Sequence, residues 1–291
     1  MKIAPGDMRA TDRESSLAAE QSLRFALNHM AAPQLKLPEF FALTRKLGLD
    51  GVEIRNDLAD QPLPDPAEVK RLAQSAGVTI LTINALQKFN HWSDTRAAEA
   101  EALAGYCKAC GAQALVLVAA NDGTGRGDAE RVRNATESLR GLKPILQAAG
   151  ITGLVECLGF EACSLRRKSE AVAAIDAADG ADVFKLTHDT FHHHLAGETT
   201  MFPDRTGLVH ISGVEDPAVS IADMRDSHRV LVGPGDRLGN IAQLRSLRAA
   251  GYAGPLSFEP FAAELRTLKD PARAIGDSME FIRAALAAKA A

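Results

Sequence analysis

Short apolar runs alternate along this chain with longer amphipathic or alanine-rich stretches. Eight such runs begin near Arg24 (RFALN), Gly51 (GVEIR), Thr79 (TILTIN), Ala114 (ALVLVA), Gly153 (GLVECL), Val183 (VFKLTHD), Gly207 (GLVHIS) and Pro255 (PLSFE). Their apolar character is nearly continuous rather than strictly alternating, as expected of strands covered on both faces of a sheet. Most of the intervening helical stretches stop at a glycine and turn straight into the next strand, at Gly48, Gly77, Gly111, Gly150 and Gly251. Glycine suits the position just past a helix because it takes positive φ without a Cβ clash. Asp65-Pro66-Ala67-Glu68 reads as an N-cap, a proline in the first turn and a reciprocal glutamate, and Asp270-Pro271 opens the last helix the same way.

Strands alternating with helices through the whole chain imply right-handed βαβ units, and eight of them close a single-domain α/β (β/α)8 TIM barrel spanning residues 23–291. A doubly wound open sheet is the competing architecture. It calls for a glycine-rich phosphate turn after the first strand, and Asn28-His29-Met30-Ala31-Ala32-Pro33 is nothing like one. The length of 291 residues, with 46% hydrophobic and 24% charged residues, matches one barrel-sized core. Residues 1–22 are polar and charged without a strand pattern, and are expected to form an N-terminal arm, either loose or strapped across the barrel.

Four of the runs end in a side chain that binds metals: Leu154-Val155-Glu156, Phe184 to His188-Asp189, Leu208-Val209-His210 and Leu256-Ser257-Phe258-Glu259. Taken singly, each acid could be a helix N-cap or half of a salt bridge. Parallel barrel strands, however, deliver their C-terminal residues to one face, so the four together predict one site. Three carboxylates and an imidazole suit one divalent ion such as Mn²⁺, Mg²⁺, Co²⁺ or Zn²⁺, and no thiolate is present to select a soft metal.

Charge and cysteine content narrow the function classes. A formal net charge of −4 disfavours nucleic-acid binding by phosphate neutralisation and leaves a small neutral or anionic substrate. The N-terminal stretch lacks the apolar segment of a signal peptide, and no other stretch has the length of a membrane span. The four cysteines are therefore expected to be reduced thiols in a cytoplasmic protein. Cys107 and Cys110 sit in an alanine-rich helix with no second pair at zinc spacing, and packing accounts for them.

From about Arg24 to the last helix, the chain resembles the xylose-isomerase-like barrel superfamily of sugar isomerases and epimerases, and within it the inosose (2-keto-myo-inositol) isomerases. The resemblance is carried by Val52-Glu53-Ile54-Arg55, Leu81 to Leu86, Val155-Glu156-Cys157-Leu158-Gly159 through Cys163, Asp189-Thr190-Phe191-His192, and Arg229-Val230 with Pro234-Gly235. It implies that Glu156, Asp189, His210 and Glu259 are the metal ligands, in agreement with the reading from strand ends. It further implies that Glu156 and Glu259 move the substrate proton, one from each side of the carbon. His192 and Arg229 are implied to contact substrate oxygens, the latter beside a conformationally special turn at Gly233-Pro234-Gly235.

Asn84, ending the third run, could hydrogen-bond a polyol hydroxyl. Glu53 and Arg55 are expected to form a buried ion pair. His91 lies in a strand-to-helix loop, where both substrate contacts and solvated residues occur. Adjacent histidines in a tightening loop cannot all face one ion, so His194 is retained as a substrate-side candidate and His193 is set aside. His188 should point away from Asp189 because strand side chains alternate. These readings converge on a divalent-metal-dependent isomerase of a keto-polyol or sugar, foremost an inosose, acting through an enediol. The alternatives are an inosose dehydratase, a ketose 3-epimerase, a non-catalytic binding protein should the metal site be incomplete and, most distantly, an abasic-site endonuclease. The expected partner is a small polyol or sugar, with no nucleic acid and no membrane; homo-oligomerisation is compatible with the sequence.

Overall fold

In the computed structural model, which describes residues 23–288, eight parallel strands close into one barrel. They are β1 (Phe25–Asn28), β2 (Gly51–Arg55), β3 (Ile80–Gln87), β4 (Ala114–Val118), β5 (Thr152–Glu156), β6 (Phe184–Asp189), β7 (Thr206–Ile211) and β8 (Leu256–Phe258). Each is followed by a helix: α1 (Leu37–Lys46), α2 (Pro66–Ala76), α3 (Asp94–Cys110), α4 (Asp128–Ala149), α5 (Lys168–Ala177), α6 (Thr190–Ala196), α7 (Asn240–Ala249) and α8 (Pro271–Ala287). Pairing of β1 with β8, Ala26 opposite Ser257, closes the ring. All eight apolar runs are strands, so the expected single-domain (β/α)8 TIM barrel is the fold. The expected arm over 1–22 lies outside the described residues.

The near-continuous apolar runs are explained by burial on two sides. In β4 every residue is buried, with Leu115 and Leu117 in the large core beneath the helices. Ala114, Val116 and Val118, on the alternate face, join Ala26, Leu154 and Leu208 in a smaller cluster. That cluster fills the barrel interior, as the two-residue side-chain period requires. Towards the C-terminal ends of the strands, the inward positions turn polar.

The helix boundaries follow the local signals. Gly48, Gly77, Gly111, Gly150 and Gly251 all have positive φ, between 62° and 93°. The Asp65 side chain accepts hydrogen bonds from the amides of Ala67 and Glu68, and Asp270 accepts one from Arg273. The reciprocal half of the expected capping box is not formed, because Glu68 lies 3.9 Å from Arg71 instead. The four cysteines are free and buried. No helix among the described residues is long and apolar enough to cross a membrane.

Candidate metal centre

Closure of the barrel brings Glu156, Asp189, His210 and Glu259 together at the C-terminal end of the strands, although 103 positions separate the first from the last. One donor atom from each lies within 4.8 Å of the other three, and all four residues are buried. The register explains the convergence: Asp189 is the cross-strand partner of His210, Glu156 ends β5, and Glu259 directly follows β8, its amide bonded to the Ile211 carbonyl at 2.9 Å. His210 Nδ1 is 3.1 Å from both the Glu156 and Glu259 carboxylates and 3.8 Å from Asp189. Three carboxylates grouped this closely around one imidazole nitrogen form a donor set that suits a hard or borderline divalent ion.

Asp189 performs two jobs with its two oxygens. Oδ1 caps α6, accepting from the amides of Phe191 at 2.7 Å and His192 at 3.1 Å. Oδ2 faces the centre, 2.6 Å from the Arg229 guanidinium. The N-cap and metal-ligand readings of this residue are therefore compatible.

Two arginines complete the charge balance. Arg229 is 1% exposed and bonds Asp189 and Glu259, the latter at 3.1 Å, with its guanidinium 5.0 Å from the Phe191 ring centroid and 4.6 Å from that of Phe261. Arg55 reaches Glu259 at 3.0 Å. Burial would raise the Glu259 carboxyl, but the nearby His210 charge and hydrogen bond, with both guanidiniums, hold it down at about 2. Burial pushes Glu156 up, assisted by the like charges of Glu259 and Asp189 against the pull of His210. Burial would lower His210, yet the carboxylates of Glu259, Glu53 and Glu156 raise it well above the usual range.

The remaining sequence candidates are distributed around this centre. Asn84 is fully buried, with Nδ2 3.4 Å from Glu259 and Oδ1 without a hydrogen-bond partner. His192 is buried between Phe160 and Phe191, its ring edge-on to both, and its Nδ1 is also unpartnered. His91 lies 3.2 Å from Thr124 in the next loop, and His194 is half-buried with an unpartnered Nε2. The three consecutive histidines occupy the short helix α6 rather than a loop, so they point in different directions.

His193 and His188 turn away from the centre, towards Lys168 at 2.6 and 3.1 Å. This buried lysine, lowered to about 8 chiefly by burial against the attraction of Glu198, had no signal in the sequence. The expected Glu53–Arg55 pair is not formed. Both residues point inward, but Arg55 takes Asp57 and Glu259, whereas Glu53 takes His210, Thr82, Ser257 and Asn28. Neither Gly233 nor Gly235 has positive φ. A Cβ on Gly233 would lie 2.5 Å from the Glu215 carboxylate, the end of an exposed and flexible side chain that can move aside, so neither turn geometry nor packing demands glycine there.

Gly159 ties the loop after β5 to α6. A Cβ there would meet the His192 carbonyl oxygen at 2.2 Å and Leu195 Cβ at 2.7 Å. Gly159→Ala is expected to destabilise the fold by about 1–3 kcal/mol, through overpacking against backbone, and to lower activity by displacing His192. Urea unfolding together with a rate assay checks this, and a native-like variant would mean that α6 yields freely. A cleft of about 560 Å³, lined by Phe160, Glu161, Ile221, Arg225 and Asp226 among others, lies between the loops after β5 and β7. A second cavity of about 540 Å³, with Lys185, Thr206 and Tyr252 in its wall, lies at the opposite strand ends, away from the donors.

Comparison with known proteins places this geometry in context. Residues 41–285 match the family described as Xylose isomerase-like TIM barrel. A xylose isomerase domain containing protein from Salmonella typhimurium is 33% identical, with a TM-score of 0.82 over 90% of this chain and 97% of that one. The IOLI protein, solved with a zinc atom, has a TM-score of 0.79 at 20% identity over 90% of this chain and 98% of that chain. D-Psicose 3-epimerase from Clostridium cellulolyticum, solved with D-tagatose, has a TM-score of 0.70 at 17% identity, covering 91% and 99%. No curated protein matches in sequence. With most of its length matched and its barrel and donor set in place, the chain belongs to the xylose isomerase-like TIM barrel family.

Proposed function

We propose that this protein is a divalent-metal-dependent isomerase that moves a carbonyl between adjacent carbons of a keto-polyol or sugar, an inosose being the leading substrate, through an enediol. The observation that carries the proposal is the buried convergence of Glu156, Asp189, His210 and Glu259. The zinc atom in the IOLI structure and the ketose-binding epimerase of the same fold support a metal and a small polyhydroxylated substrate. Mn²⁺, Mg²⁺, Co²⁺ and Zn²⁺ all suit the donors.

When bound, the ion supplies Lewis acidity towards oxygens carrying developing negative charge. The protein's own groups do the rest. Glu156 and Glu259 come from strands three apart around an eight-membered ring, so their carboxylates flank the centre and can move a proton to and from carbon. The guanidinium of Arg229, fixed between two aromatic rings, favours an oxygen that becomes anionic. Asn84 Oδ1 can accept from a substrate hydroxyl, and His192 Nδ1 is free to bond a substrate oxygen. His91, bonded to Thr124, and His194, with an unpartnered Nε2, are further substrate-side candidates.

The test is incubation of the metal-loaded protein with inososes and common ketoses in D₂O, followed by NMR. The expected result is deuterium next to the carbonyl and a carbonyl moved by one carbon. An unmoved carbonyl with inverted stereochemistry would assign epimerisation, loss of water would assign dehydration, and no exchange with any substrate would end the enediol reading. An abasic-site endonuclease would use several zinc ions, whereas one donor group of this kind is found among the described residues.

A further inference from the structure

Beneath the four donors lies a layer of inward polar side chains centred on Glu53. Its carboxylate is fully buried and accepts from Thr82 Oγ1 at 2.8 Å, Ser257 Oγ at 2.5 Å and, more weakly, Asn28 Nδ2 at 3.4 Å. These partners come from the two flanking strands and from β8. Asn28 and Thr82 are register partners of Glu53, and Ser257 is the register partner of His210. The remaining contact is His210 Nε2, 3.1 Å away on the side of the ring opposite Glu156 and Glu259.

An imidazole that offers one nitrogen to a cation must carry its proton on the other. Glu53 surrounded by three donors can act only as an acceptor towards His210. We propose that Glu53 is a positioning residue for His210: it takes the Nε2–H hydrogen bond and so presents the Nδ1 lone pair to the space shared with Glu156, Asp189 and Glu259. This rests on the metal-centre reading above. The reverse tautomer would set an Nε2 lone pair against a buried carboxylate and leave that charge without its partner. Thr82 and Ser257 then serve to hold the Glu53 carboxylate in line with the ring.

The test compares wild type with Glu53→Gln, nearly the same shape but uncharged. Two quantities are read: Zn²⁺ affinity by calorimetry, and the ring N–H proton of His210 in the zinc-loaded protein by NMR. Wild type is expected to show a far-downfield, exchange-protected Nε2–H. In Glu53→Gln, that resonance should move upfield and zinc affinity should fall about 10- to 100-fold. A Glu53 that merely fills the barrel would move neither quantity, and unchanged affinity with an unchanged resonance overturns the proposal. Should Glu53→Gln not fold, Ser257→Ala, which removes one donor to Glu53 without touching the imidazole, is expected to weaken zinc binding several-fold, and unchanged affinity would overturn the proposal there. Wild type binding neither zinc nor any of the other three candidate ions would instead end the metal-centre reading itself.

Discussion

Glu156→Gln and Glu259→Gln should each lower turnover at least about a hundredfold, the usual scale for losing a general acid or base. Glutamine keeps the shape of the side chain and an oxygen for coordination but cannot accept or return a proton in the working range. Both residues touch His210 at 3.1 Å, so bound metal has to be measured alongside the rate. Loss of rate at full occupancy separates proton transfer from chelation. Near-native rates in both variants would remove these two carboxylates from the chemistry.

Arg229→Ala should have the largest effect on the metal-free fold. The guanidinium is buried against Asp189 and Glu259, and their charges raise it further above its already high range despite burial. Removing one member of a buried ion pair leaves uncompensated charge, at a cost of about 3–5 kcal/mol. Denaturant unfolding of the metal-free variant reads this directly, and saturating divalent cation should restore more stability to the variant than to wild type because binding repays the missing positive charge. Arg229→Lys should recover only part of both stability and kcat/KM, because an ammonium cannot reproduce a planar fork that spans two carboxylates between two aromatic rings. Full recovery with lysine would mean that charge alone, not geometry, is required.

Much of the scaffold was legible because it is specified by local rules. Glycines past the helix ends, aspartate caps and apolar runs of strand length act within a few residues, and they located all eight strands. Differences arose where tertiary packing extends or replaces the local signal. β3 runs on to Gln87, past the apolar Thr79 to Asn84 stretch, and the histidine run became the helix α6 because Asp189 caps it. The four donors were legible for a related reason. Residues at the C-terminal ends of parallel strands must share a face, so sequence position implied proximity without any measured contact.

Partnership across the barrel was not legible. Glu53 and Arg55 stand two apart on one face of β2, which suggested that they pair, but consecutive inward residues on a strand project side by side at different heights. Their partners, His210 and Glu259, lie 157 and 204 positions away and meet them only when β1 closes against β8. The same holds for Lys168, whose contacts with His188 and His193 depend on α5 packing behind β6. Short-range sterics and side-chain alternation set the period of strands and helices, the identity of the barrel and the face that carries the donors, and all three can be read from the order of residues. Which charge neutralises which follows from barrel closure, because a buried carboxylate takes whichever cation the closed ring brings within hydrogen-bond reach, however distant in the chain.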